Sequence, residues 1–274
     1  MTNHHSHKLI QAPFLSSSVL RQHGGWEDLL ANDLAIIWSL VSAAWAIALF
    51  ATITGYDCLL HYDSLFQPDP QSLLLKFLSF LLAWQVMVIA MMLPTSLPLI
   101  RLFIKLSQQK ERSAPALLVF LTAYLTIWLG FAVFAFFTGW GAHSLVNTLP
   151  GLQQRPWLIS GATLLLTGAF QFSKLKEHCM TTCRHPFSFL VRYYQQGLKA
   201  AWNLGIRHGL YCLGCCWALM LVMFVVGVEH ITWMLLLTGV MVLEKTSRWS
   251  QMFVSIVGGV SIACGLMILY PNLI

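Results

Sequence analysis

The sequence predicts an all-α, polytopic membrane protein, and three properties of the chain lead to this prediction. Charged residues make up only 9% of the 274 residues and hydrophobic residues 57%, whereas about a quarter of an average soluble domain is charged. The mean hydropathy is +0.69. Apolar stretches near the ~20 residues that a membrane-spanning helix needs recur along the chain. The lipid bilayer is therefore expected to cover much of the protein surface.

The apolar stretches predict a helix bundle of about seven spans, with six as the lower count. The polar residues 1–33 are expected to form a disordered tail, and residues 34–274 a single transmembrane domain. Pro94 and Pro98 interrupt the second stretch, so a kink or an early end is predicted there. The sixth stretch barely reaches the length of a bilayer crossing. The predicted spans are residues 34–55, 72–100, 114–138, 157–174, 209–228, 231–243 and 249–270.

The basic residues lie between the apolar stretches, and their distribution predicts the orientation of the chain. With the N-terminus inside, 14 of the 16 Lys and Arg residues lie in inner segments, and only Lys76 and Arg155 lie outside. Because inner loops of membrane proteins are enriched in Lys and Arg, the N-terminus is predicted to be cytoplasmic. The net charge of +6 follows from this topological pattern, so binding to nucleic acid is not expected.

Five of the seven cysteines lie in two short segments of the chain. Cys179 and Cys183 stand four residues apart, on one face of a predicted helix just before Pro186. The second segment is expected to begin the fifth span at its cytoplasmic end, and its sulfur atoms repeat along one helical face at Cys212, Cys215, Cys216, Met220 and Met223. Disulfides are disfavoured in the reducing cytoplasm, so clustered thiols there indicate a metal site or a redox-active site. Simple packing is the alternative, and it is expected of the isolated Cys58 and Cys264.

A second sulfur-rich stretch lies in the second span, where Trp84, Met87 and Met91 share one helical face. Its methionines are expected at a depth comparable to that of Met220. Thiolate and thioether ligands together select soft ions, Cu(I) above all, with zinc as the alternative. Methionine also fills irregular gaps in apolar cores, so packing is the competing interpretation for each of these residues.

Polar residues at the same predicted end of the bundle are candidates to complete a site. Glu244 and Lys245 end the sixth stretch, either as an interfacial pair or with Glu244 facing the bundle as a hard ligand, proton acceptor or counter-ion. Gln171 is expected to bond between helices or to support a metal ligand. Trp84 and Lys245 are expected to support metal ligands. Three histidines flank the thiols and are expected either to join them on a metal or to face solvent, namely His178, His185 and His208.

The sequence resembles an uncharacterised bacterial family of predicted metal-binding integral membrane proteins, a domain of unknown function. The resemblance covers about Trp84 to Lys245, and Ser173-Lys174 depart from the family pattern, in which a Thr-Pro type pair is expected after Gln171. Metal binding and a place in the bacterial inner membrane are implied by the resemblance, without a reaction. Four motifs in order carry it, at Trp84–Pro94, Gln171 with Lys176–Pro186, Gly209–Met220 and Glu244-Lys245.

The leading hypothesis is an integral membrane protein that binds a soft transition metal, Cu(I) before zinc, in metal handling or delivery. Besides the lipid bilayer, a membrane metalloenzyme or a metallochaperone is the expected partner. One alternative is a membrane thiol–disulfide oxidoreductase, which the cytoplasmic placement of the thiols disfavours; another is a non-catalytic accessory subunit of a larger complex. A non-enzymatic role is favoured. The candidate ligands are Cys179, Cys183, Cys212, Cys215, Cys216, Met87, Met91, Met220 and Glu244, supported by Gln171, Trp84 and Lys245.

Overall fold

The computed structural model describes residues 23–54, 73–108, 113–148, 155–226 and 231–273. Within these ranges the regular secondary structure is entirely α-helical, in agreement with the predicted fold class. Residues 1–22 of the predicted tail lie outside the described residues, as does Cys58, whereas residues 23–33 belong to the first helix. The described helices are α1 (His23–Thr54), α2 (Leu73–Gln108), α3 (Ser113–Thr148), α4 (Pro156–Gln171), α5 (Lys174–Arg184), α6 (Pro186–Tyr193), α7 (Leu198–Val226), α8 (Ile231–Thr246) and α9 (Ser250–Leu273).

Five of the described helices are long and apolar enough to cross a membrane. They are α1, α2, α3, α7 and α9, and they correspond to five of the predicted spans. The helices α4 and α8, with 16 residues each, reach only ~24 Å at 1.5 Å per residue. That length is below the ~30 Å hydrocarbon core of a typical bilayer. The count of about seven crossings and the cytoplasmic N-terminus therefore stay predictions.

The two prolines in α2 do not end the helix, so of the predicted kink or early end the early end is wrong, and the kink stays a prediction. The helix includes both Pro94 and Pro98 and continues to Gln108. A proline removes the N–H that would bond the carbonyl four residues earlier, which for Pro94 is the carbonyl of Ala90. That carbonyl oxygen accepts a hydrogen bond from Trp45 Nε1 of α1 at 3.2 Å. Packing against α1 therefore allows the helix to pass through its first proline.

The helix that carries the central thiols begins earlier than predicted. The fifth span was expected to start at residue 209, but α7 starts at Leu198, so its cysteines lie near the middle of the helix. Residues 198–208 are amphipathic rather than uniformly apolar. Their exposed side chains include Lys199 and Arg207, whereas Ala201 and Leu204 are buried. Polar residues on one face lower the local hydropathy without ending the helix.

Around α7, the helices α3, α4, α5 and α8 pack directly. Helix α7 lies so close to α3 that a Cβ added at Gly205 would collide with the carbonyl oxygen of Phe120, and one added at Gly209 would lie 3.0 Å from Ile127. Close packing of α7 on α3 therefore occurs at these two glycines. Helix α2 packs against α3 and α8 on the other side. The cysteines and methionines of α2, α5, α7 and α8 therefore lie in, or packed against, the shared hydrophobic core of these helices.

Candidate metal centre

Three thiols of α7 lie together on its buried face. Cys212, Cys215 and Cys216 are each at most 1% exposed. The Sγ atoms of Cys215 and Cys216 are 3.3 Å apart, and the Cys215 thiol donates to the carbonyl oxygen of Cys212 at 3.2 Å. Because residues at i, i+3 and i+4 share one face of a helix, the spacing brings the three side chains into one pocket.

A fourth thiol reaches this pocket from α5. The side chain of Cys183 lies beside that of Cys215. Cys183, Cys212, Cys215 and Cys216 together form what we call the thiol cluster. Two helices that are separate in sequence therefore contribute to it, and α5 packs on α7 at Gly214.

Cys179 takes a different position from its predicted partner Cys183. A Cβ added at Gly214 would lie 2.6 Å from Cys179 Sγ, so this thiol packs directly on the glycine rather than on the other sulfur atoms. The Cys179 side chain is 6% exposed, and burial raises the pKa of its thiol above the ordinary value. The neutral thiol is therefore the favoured form of Cys179.

A cation and a phenol complete the contacts of Cys212. Lys245, near the end of α8, donates from Nζ to Cys212 Sγ at 3.2 Å and to Thr95 Oγ1 of α2 at 3.0 Å. The hydroxyl of Tyr124 on α3 lies 3.1 Å from the same sulfur atom. Lys245 is buried, so a positive charge is held beside the thiols, where it compensates the negative charge of a thiolate.

Glu244 lies next to Lys245 in sequence but faces other partners. Its Oε2 accepts from Lys176 Nζ at 2.7 Å, and its Oε1 accepts from Gln171 Nε2 at 3.2 Å. All three side chains are at most 3% exposed. The expectation of an interfacial Glu244–Lys245 pair is therefore wrong, since both side chains point into the bundle. Both carboxylate oxygens are engaged by Lys176 and Gln171, so Glu244 is a counter-ion rather than a neighbour of the thiols.

Gln171 bonds between helices, as one of its two expected roles requires, because it joins the end of α4 to α8. Trp84 is buried and lies against the rings of Phe80 and Phe131, with centroid distances of 5.8 and 5.7 Å. Met87, Met91 and Met220 are buried in the same core. The structure thus places Trp84 and the candidate methionines inside the bundle rather than on its surface.

Of the three histidines near the thiols, only His208 is buried; His178 and His185 are exposed. His208 lies one helical turn before Cys212, with its Nε2 3.0 Å from Ser96 Oγ. Its ring stacks on Tyr124 at a centroid distance of 5.5 Å. Sequence reasoning did not single out Tyr124 or Ser96. The helical offset of four between His208 and Cys212 was the available signal that this histidine shares the buried face.

The arrangement of donors decides which ion the pocket fits. Within the described ranges, no group of three or more His, Cys, Asp or Glu side chains is arranged to hold a metal ion. The thiols contact one another and Lys245 instead, and the nearest carboxylate and imidazole are engaged elsewhere. Hard cations prefer carboxylate and carbonyl oxygens, whereas thiolates suit soft ions. The donors that this part of the core offers are therefore thiols, the type that suits soft ions.

The fold and this pocket define a helical-bundle protein with a buried, sulfur-rich core. The family model PpoB2, described as a copper chaperone, matches residues 81–268. The match covers well over half of the chain and includes every residue of the thiol cluster, so the protein belongs to this copper chaperone family. No curated protein and no solved structure matched the chain.

Proposed function

We propose that the protein binds Cu(I) as its cargo at the thiol cluster and hands it on within a membrane. Membership of a copper chaperone family supports a role in copper handling. The observation that supports the finer proposal is that thiols of α5 and α7 come together inside the bundle, with the Sγ atoms of Cys215 and Cys216 3.3 Å apart and Cys183 beside Cys215. Thiolates select Cu(I) over harder divalent ions that prefer oxygen ligands.

Two of the three thiols Cys212, Cys215 and Cys216 are the ligands in this proposal, and Cys183 closes the pocket from α5. Cys179 is left outside the set because it packs on Gly214 as a neutral thiol. Zinc is the weaker candidate for the cargo. Structural zinc sites use four Cys or His ligands in a tetrahedral arrangement, and the described residues supply no such group.

Charge balance at Lys245 favours a monovalent ion. Two thiolates and one Cu(I) carry a net charge of minus one, and the ammonium of Lys245, 3.2 Å from Cys212 Sγ, brings the sum to zero. A neutral assembly matters in this place because burying an uncompensated charge is strongly unfavourable. The same lysine would therefore stabilise the loaded pocket and hold Cys212 in place before loading.

We further propose that the chain crosses the bacterial inner membrane with its N-terminus in the cytoplasm, as the distribution of basic residues indicates. The thiol cluster would then lie toward the cytoplasmic side. Gln171 and Lys245 are at the ends of the short helices α4 and α8, whereas residues 96–108 of α2 and 198–211 of α7 continue past the cluster. Copper would enter from the cytoplasmic side and pass to a membrane metalloenzyme or a metallochaperone. Delivery of this kind needs no catalytic residues.

The test is a Cu(I) titration of the purified, reduced protein in lipid nanodiscs, in competition with a chromogenic Cu(I) chelator. The wild type is expected to take Cu(I) from the chelator. The Cys215→Ser/Cys216→Ser variant should lose more than the ~10–100-fold in affinity that residues behind the ligands typically contribute. The matched control is Cys264→Ser, which removes an exposed thiol of α9 and should leave the affinity unchanged.

X-ray absorption of the loaded protein reports the ligands independently of affinity. Sulfur is the expected neighbour of copper in the wild type. Equal affinity in the wild type and the double-serine variant, or copper surrounded by nitrogen and oxygen alone, would contradict the proposal.

A further inference from the structure

The methionines of the protein are concentrated in its interior. Of the ten methionines in the described part of the chain, eight are buried, and seven of these eight lie on α2, α7 and α8. Met is flexible and specifies a core less well than Leu or Ile, so an ordinary core uses it sparingly. Such a concentration on three neighbouring helices points to a use of the thioether sulfur.

Three of these methionines lie one helical turn from residues that meet at the thiol cluster. Lys245 joins Thr95 of α2 to Cys212 of α7 and so fixes a common level for the three helices. Met91 lies four residues before Thr95, Met241 four residues before Lys245, and Met220 four residues after Cys216. A side chain four residues along a helix lies on the same face, one turn away.

From the thiol cluster, the helical steps to Met91, Met220 and Met241 all lead toward the same end of the bundle. Thr95 is joined to Cys212, and Ser96 to His208, so the numbering rises along α2 as it falls along α7. Only residues 227–230 separate α7 from α8, a connection length typical of antiparallel helix neighbours. Backward steps on α2 and α8 therefore run in the same direction as forward steps on α7.

All three side chains are shielded completely from the surroundings. Met91, Met220 and Met241 each have an exposure of 0%, as does Met92 beside Met91. The carboxylate and imidazole groups near the depth of the thiol cluster already have partners: Glu244 pairs with Lys176, and His208 contacts Ser96.

The pairing of Thr95 and Lys245 with Cys212 puts Met91 and Met241 at the depth of Cys216, and Met220 one turn deeper. Side chains lean toward the amino-terminal end of their helix, so the first two lean toward Met220, and Met220 leans back toward them. Thioether sulfur from three helices is therefore supplied at and just beyond the depth of Cys216.

We infer that Met91, Met220 and Met241, with Met92 beside them, form a second binding site for a soft monovalent ion, separate from the thiol cluster. Thioether ligands are neutral and soft, so they suit Cu(I) and its analogue Ag(I) and give little affinity for zinc or magnesium. The inference rests on the proposed function for the identity of the ion. It deepens that function, because it places a second ion-binding site between the thiol cluster and the end of the bundle that faces away from the proposed cytoplasmic side.

Residues further along the same faces extend this pattern. Met87 is four residues before Met91, Met223 is three after Met220, and Met234 is seven before Met241, and all are buried. The sulfur-lined interior thus continues for one or two more turns of each helix. An ion at the thioether site would have further soft ligands ahead of it rather than bare hydrocarbon.

The test uses the full-length protein in nanodiscs, with its methionine methyl groups labelled with ¹³C and with Ag(I) as the probe ion. In the wild type, Ag(I) is expected to shift the methyl resonances of Met91, Met220 and Met241 after the thiols are filled. The resonances of Met252 and Met267, which are exposed on α9, should not move. Shifts confined to the exposed methionines, or no shift at all, would overturn the inference.

Two variants separate this inference from the proposed function. Met91→Leu/Met220→Leu/Met241→Leu keeps the side-chain volume and should lose one bound ion while the thiol cluster still binds the other. Cys215→Ser/Cys216→Ser should keep the Ag(I)-dependent methyl shifts. Met252→Leu/Met267→Leu is the matched control and should keep both ions. A triple-leucine protein that folds and binds as many ions as the wild type would overturn the thioether site alone, and a wild type that binds no ion would overturn both proposals.

Discussion

The ammonium of Lys245 lies 3.2 Å from the sulfur atom of Cys212, across the interface between α8 and α7. The two residues are 33 positions apart in the chain, and both side chains are buried. The contact brings a fixed positive charge to the thiol cluster. It also links the sulfur pocket to α2, because the same ammonium donates to Thr95.

Removal of this charge is expected to weaken copper binding. In Lys245→Leu, a Cu(I) dithiolate would keep an uncompensated negative charge in the core, so we expect the affinity for Cu(I) to fall by ~10–100-fold, the range typical of residues behind the ligands. Competition with a chromogenic chelator measures this affinity. Lys199→Leu is the control with the same change of net charge, because Lys199 is an exposed residue of α7. Equal affinities in all three proteins would show that Lys245 does not compensate the site.

Glu244→Gln is expected to reduce stability rather than copper binding. The substitution leaves Lys176 buried without its carboxylate partner, and loss of one member of a buried ion pair destabilises by ~3–5 kcal/mol. Thermal unfolding in detergent, followed by loss of the monodisperse gel-filtration peak, measures the change. The exposed Glu177→Gln on α5 is the control. A folded Glu244→Gln protein with wild-type stability but no copper affinity would instead make Glu244 a ligand.

Gly214→Ala is expected to separate α5 from α7. The new Cβ would lie 2.6 Å from Cys179 Sγ, so the buried Cys179 side chain must give way. We expect α5 to shift with it and to carry Cys183 away from Cys215. Overpacking of this kind costs ~1–3 kcal/mol, and the affinity for Cu(I) should fall with it. Gly239→Ala on α8 is the control, because nothing lies within 4 Å of its added Cβ. The double variant Gly214→Ala/Cys179→Ala, which removes the obstructing sulfur, should recover the affinity; a double variant as weak as Gly214→Ala would refute the steric explanation.

The thiol of Cys179 should ionise later than an ordinary cysteine as the pH rises. Burial raises its pKa in the folded protein, and the thiolate is the form that reacts with alkylating agents. The pH profile of its alkylation, read peptide by peptide with mass spectrometry, should therefore lie at higher pH in the native protein than after unfolding. Because the folded pKa is the higher one, the stability that the neutral thiol contributes is present below the unfolded pKa and is lost as the pH rises through the folded pKa. Coincident native and unfolded profiles would contradict this environment.

Local periodicity predicted the part of the site that lies on single helices. The spacing of Cys212, Cys215 and Cys216 fixes their common face, because the period of an α-helix depends only on neighbours in sequence. The lengths and compositions of the apolar stretches predicted the helical fold class in the same way. These features needed no knowledge of how the helices pack.

Contacts between helices were beyond the reach of periodicity. Lys176 and Glu244 are 68 positions apart, and nothing in either segment shows that they meet. The start of α7 was missed for a related reason: its first turns alternate exposed residues such as Lys199 and Asn203 with buried ones such as Leu204. A window that averages hydropathy detects spans that lipid surrounds, and it overlooks a helix whose apolar side faces another helix.

Through the hydrogen bond from Trp45 to the carbonyl of Ala90, helix α1 stabilises α2. Pro94 leaves that oxygen without its usual intrahelical donor, and an unsatisfied backbone group in hydrocarbon costs several kcal/mol. A shortened protein that lacked α1 would expose the oxygen beside the methionines of α2. Loss of α1 is therefore expected to disturb the packing of α2 next to the proposed copper site, and α1 should be retained in any minimal version of the protein.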